Sequence, residues 1–160
     1  MNNLNQSSLF QQAVAHFQAG HHAKAAELCR RVLSLNPDHA DTHLMIGLIA
    51  LNAGRFDVAA GHFANAVRIN PRHAGYQLNL GIACHRSGQF DTASTALQQA
   101  IKLEPKFVQA YQELAVLMES QGKLEGALDV WERGLKRLPE EISLHKRRAQ
   151  TLWKLGRVDP

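Results

Sequence analysis

The chain has 160 residues, carries a net charge of +4, and is 45% apolar against 20% charged, a globular composition that excludes a disordered chain. Its 22 alanines and 21 leucines outnumber the 14 valines and isoleucines, which favours helix over sheet, and no apolar run approaches the roughly 20 residues of a membrane-spanning helix. Of the net charge, +3 falls in residues 121–160, an excess too mild and too local for a nucleic-acid-binding stripe.

The first eight residues lack the basic flank and apolar core of a secretory signal. Two cysteines, Cys29 and Cys84, cannot build a disulfide framework and suit a reducing compartment, so the expected location is cytoplasmic.

A period of 34 residues organises the chain. Pro37, Pro71, Pro105 and Pro139 keep it, as do Gly20, Gly54, Gly88, Gly122 and Gly156. Ala25, Ala59, Ala93 and Ala127 form a third column, and Leu33, Val67, Ile101 and Leu135 a fourth. Repetition at this period predicts a solenoid of helix pairs. Between each proline and the next glycine lies a helix A, for example within residues 72–87. Glycine ends it by accepting the left-handed conformation of a helix C-terminus. An amphipathic helix B comes next, as in residues 89–103, and proline stops it. The alanine column marks where two helices cross closely.

Taken in chain order, the first unit, 6–39, is the weakest, with Gln12 and Ala13 at its characteristic pair but Gly20, Ala25 and Pro37 in place. The second, 40–73, carries Ile46, Gly47, Gly54, Ala59, Phe63, Ala66 and Pro71. The third, 74–107, has Leu80, Gly81, Gly88, Ala93, Leu97, Ala100 and Pro105. The fourth, 108–141, has Tyr111, Leu114, Ala115, Gly122, Ala127, Trp131, Gly134 and Pro139. Residues 142–160 form a partial fifth unit, with Leu144, Ala149, Leu152 and Gly156 in pattern and Arg148 out of it. Its helix is expected to cap Trp131 and Leu135 while Lys146, Arg147 and Lys154 face water. Asp159-Pro160 reads as an N-cap followed by proline at a first helical position, so the chain is expected to be a fragment of a longer array.

With these residues the sequence resembles the tetratricopeptide repeat family over 6–156. The resemblance implies an all-α, right-handed superhelical solenoid of antiparallel helix pairs whose concave face is lined by the A helices. Carried over by position, the lining is Phe10, Val14 and Phe17, then Leu44, Leu48 and Leu51, then Leu78, Ile82 and His85. Polar or mixed neighbours are Gln11, Met45, Asn79 and Arg86, and in the fourth unit Gln112, Glu113, Val116 and Glu119. The expected binding residues are Phe10, Phe17, Leu44, Met45, Leu48, Leu51, Leu78, Asn79, Ile82, His85, Arg86 and Glu113. An apolar strip of this kind suits a peptide or an amphipathic helix, or a second copy of the chain, or the disordered-looking residues 1–7.

The family's carboxylate clamp is absent, since Phe10 and Val14 stand in its first two positions, and of the asparagine ladder of O-linked N-acetylglucosamine transferases only Asn79 matches. No phosphate loop, zinc motif or nucleophile elbow is present. His39 and His43, four apart, read as turn histidines because the equivalent His73 is followed by Gln77, and Cys84 beside His85 reads as a buried small hydrophobe. The expectation is therefore a non-catalytic protein-interaction scaffold with no cofactor, no metal, no nucleic-acid partner and no membrane insertion. The alternative is the substrate-recognition or targeting part of a larger enzyme, resembling bacterial arrays ahead of glycosyltransferase or sulfotransferase domains.

Overall fold

The computed structural model describes residues 2–157, with side chains from residue 5 onward. Among them the chain forms nine α-helices: α1 (Asn2–Gln18), α2 (His22–Leu35), α3 (Ala40–Asn52), α4 (Phe56–Ile69), α5 (Ala74–Arg86), α6 (Phe90–Leu103), α7 (Val108–Ser120), α8 (Leu124–Arg137) and α9 (Ile142–Lys154). Odd-numbered helices are the A helices of the sequence pattern and even-numbered ones the B helices. Each helix packs chiefly on its neighbours in the chain, as a repeat solenoid requires.

The two turn columns act through the backbone. Gly20, Gly54, Gly88, Gly122 and Gly156 all have positive φ, between +68° and +79°. This lets the residue after each glycine fold back on the last turn of helix A, as when Arg55 N–H donates to Ala50 O at 2.9 Å and Gln89 N–H to Cys84 O at 2.8 Å. At the other end, α2, α4, α6 and α8 each finish two residues before a column proline.

Small residues set how closely the pairs approach. Ala25, Ala59, Ala93 and Ala127 are all wholly buried. A Cβ on Gly47 would sit 2.4 Å from the Phe63 ring, and one on Gly81 would sit 2.5 Å from Leu97. The buried apolar residues form two clusters, a small one around Leu28, Cys29 and Val32 and a long one running from Ala50 to Leu144. Both thiols are buried, as expected, and burial raises Cys29 to about 11, which leaves it a protonated core residue.

α9 packs on α8. Leu144 is wholly buried, and the buried Trp131 indole donates to Thr151 Oγ1 at 3.0 Å. The N-terminal expectation needs correction: residues 2–7 are not a disordered seal but the first turns of α1. The Asp159-Pro160 helix start lies outside the described residues.

The reading of His39 and His43 as turn histidines needs correction at His43, which lies within α3 and is buried, and these histidines have structural work. His39 and His73 cap α3 and α5, their Nδ1 atoms accepting from Thr42 N–H at 3.2 Å and Tyr76 N–H at 3.3 Å. His43, Gln77, Tyr111 and His145, one per unit, donate to the carbonyls of Pro37, Pro71, Pro105 and Pro139 at 2.9, 3.5, 3.1 and 2.6 Å. A carbonyl can only accept, so in each case the side chain is the donor. His43 and Gln77 thus share one role.

Candidate binding groove

The face shared by the odd-numbered helices is tied together by side chains that reach from one A helix to the next. Tyr76 of α5 donates its hydroxyl to Asp41 of α3. His85 of α5 meets Ser120 of α7 at 3.1 Å, and Gln112 of α7 donates to Ser143 of α9 at 3.0 Å. Glu119 of α7 accepts from both Thr151 and Lys154 of α9. Burial pushes the Glu119 carboxyl up, but these hydrogen bonds together outweigh it and hold it below the usual carboxylate range. The face is therefore a fixed surface.

Phe10 and Phe17 are half-buried, tilted against His39 and His22 at centroid separations of 4.8 and 5.3 Å. Leu44, Leu48, Leu51 and Ile82 are half-buried and rest on the long core cluster. Two residues expected to line the groove do not. Met45 is 7% exposed and turns to the Cys29 thiol, which donates to its sulfur at 3.4 Å, while Leu78 is 4% exposed inside the core. Asn79 is half-buried and uses one amide N–H within its own helix, donating to Gly75 O at 2.8 Å.

The polar end is more open. Burial lowers the basicity of His85, against the pull of the Glu113 carboxylate and with the push of Arg86, so the ring is neutral at pH 7. Arg86 is exposed, with its guanidinium 5.9 Å from the centroid of the Phe56 ring. Leu51, Ile82, Phe56 and Arg86 together line a depression of about 350 Å³ between α3 and α5. Three expected residues thus meet at one place, beside an aromatic that the sequence reading did not single out.

Among the described residues the large exposed apolar ones are Leu35, Val58, Phe90, Ile142 and Trp153, none of them in the expected strip. The strip is half-buried, because the aliphatic side chains settle against the core between neighbouring A helices. Trp153, 76% exposed, is not among the binding residues expected from the sequence. It stands 34 residues beyond Glu119, in the column of Phe17, Leu51 and His85, so carrying the period one unit further would have found it.

Known proteins share this architecture. The family model described as the cytochrome c-type biogenesis protein H TPR domain matches residues 27–143, and that of the tetratricopeptide repeat matches residues 7–39. No curated protein matches the sequence. Among solved structures, a crystal structure of MamA is 22% identical with a TM-score of 0.82, over 91% of this chain and 85% of that one. MamA from Desulfovibrio magneticus RS-1 is 20% identical with a TM-score of 0.78, over 85% of this chain and 77% of that one. Pseudomonas aeruginosa pilF is 19% identical with a TM-score of 0.79, over 96% of this chain and 70% of that one. Identities this low speak for the fold alone.

Proposed function

Since the chain belongs to the tetratricopeptide repeat family of protein-interaction scaffolds, we propose that it holds a peptide or amphipathic segment of a partner along the A-helix face, without catalysis. In this reading the pairs wind into a right-handed superhelix and that face is its concave side. One observation carries it: the A-helix columns present Phe10, Phe17, Leu44, Leu48, Leu51 and Ile82 half-buried, with Arg86 exposed beside Leu51 and Ile82 and Trp153 exposed further along the column of Leu51. Half-buried apolar side chains on a fixed frame offer area at little ordering cost, and an exposed tryptophan and arginine are the residue types in which binding energy concentrates. The two free, buried thiols support a cytoplasmic setting.

The description of the matched family model favours one class of partner for this face, a protein handled during biogenesis of cytochrome c-type proteins. The test is selection of peptides from a displayed library, followed by affinity measurement on exposed-residue variants. Trp153→Ala and Arg86→Ala are expected to weaken the selected peptides by about ten-fold each, roughly 1.4 kcal/mol. Thr95→Ala on α6 should leave them unchanged. Peptides that bind all three variants as tightly as the wild-type chain would refute the groove.

A further inference from the structure

The repeats serve as controls for one another along the edge where the even-numbered helices end. In the turn after α2, Asp38 meets Arg68 of the next unit at 2.6 Å. The equivalent positions one unit on hold Arg72 and Lys102, and one further still Lys106 and Lys136. The opposite charges of the first turn have become two cations at each of the next two. In the fourth unit α8 carries Arg133, where α2 has Arg31 but α4 and α6 have Asn65 and Gln99, and Arg137, where α2, α4 and α6 have Leu35, Ile69 and Leu103. The helix dipole accounts for one cation in a last turn. It does not account for Arg133, which lies outside the last turn, nor for exchanging an aliphatic residue for Arg137.

Lys102, Arg133, Lys136 and Arg137 line one depression of about 370 Å³, with Ile101 and Tyr111 at its floor. Ile101 is 7% and Tyr111 3% exposed, and the Tyr111 hydroxyl already donates to Pro105 O, so the floor is closed and the depression presents chiefly its rim of cations. Among the described residues Asp129 is the carboxylate paired with this group, 3.7 Å from Arg133; Lys102, Lys136 and Arg137 have none. Unneutralised cations around one hollow favour a ligand that carries several carboxylates.

We propose that this depression binds an acidic segment of a polypeptide, its carboxylates on the four cations. The volume fits one or two side chains, and the cations ring a hollow between α6 and α8 where a membrane surface would need them spread on a plane. The site is built on B helices and is independent of the A-helix groove.

The experiment titrates the whole chain into a fluorescein-labelled Glu-Asp-Phe-Glu-Asp peptide at low salt and at about 0.15 M salt, read by anisotropy. Saturable binding that weakens with salt is expected. Arg133→Gln/Arg137→Leu, which gives the fourth unit the third unit's own residues and so keeps the helix, should weaken it by about ten-fold or more. Arg86→Ala in the groove should not change it. Absence of saturable binding, or equal binding by the Arg133→Gln/Arg137→Leu chain, would overturn the proposal. So would tighter capture by phosphatidylserine vesicles lost in that same variant, which would make the surface a membrane contact.

Discussion

Two glycines inside helices show how differently one residue type can be used. Gly47 of α3 faces Phe63, which is wholly buried and cannot swing away from a new methyl group. Gly61 of α4 has open space where a Cβ would go. Alanine is the better helix former by roughly 0.5–1 kcal/mol, and at Gly61 nothing opposes that gain. At Gly47 the clash costs about 1–3 kcal/mol and outweighs it. Denaturant unfolding should therefore show Gly61→Ala slightly stabilised and Gly47→Ala destabilised. The reverse order would mean that α3 and α4 do not cross at Gly47. The spacing of Gly47 and Gly81 is legible in the sequence, but the partner that forbids a side chain at each is visible only once the helices are packed.

At the scale of the element, the α3–α4 hairpin carries a proton-sensitive contact. His43 Nε2 donates to Pro37 O, which leaves its Nδ1 to accept from Nδ1–H of His62 at 3.1 Å. Burial, and then the neighbouring His43, lower the basicity of His62. The folded chain thus binds fewer protons at His62 than the unfolded one. The stability it contributes is present above the unfolded value of about 6.5 and is lost as pH falls below it towards the folded value. Unfolding free energy should decline below about pH 6.5, and His62→Gln should flatten that decline. An unchanged slope in the variant would contradict the pairing. Helix positions and both stop signals of this hairpin follow from Gly54 and Pro71, whose types dictate backbone conformation. Its polar contacts do not, because histidine is not among the usual capping residues and the donors to proline carbonyls (His43, Gln77, Tyr111, His145) share a capability and not an identity.

For the whole molecule, cross-links between successive A helices fix one face before any ligand arrives. Asp41–Tyr76, His85–Ser120, Gln112–Ser143 and the Glu119 bonds to α9 step along it from unit to unit. A face held in this way loses little further freedom on binding. The architecture was legible because the 34-residue columns encode it at every unit. The face was legible only in part: Leu44 and Leu78 share a column, yet one is half-buried and the other lies in the core, a difference set by what each meets from the neighbouring unit. Trp131 and Trp153 divide likewise, the first wholly buried and the second exposed. The most direct measurement is the amide chemical-shift map of the chain with a library-selected peptide. Shifts concentrated on α3, α5 and α7 around Leu51, Ile82, Arg86 and Glu119, and extending to Trp153, are the predicted result. Shifts confined to the outer positions of α4 and α6, such as Gly61, Thr95 and Gln98, would contradict it.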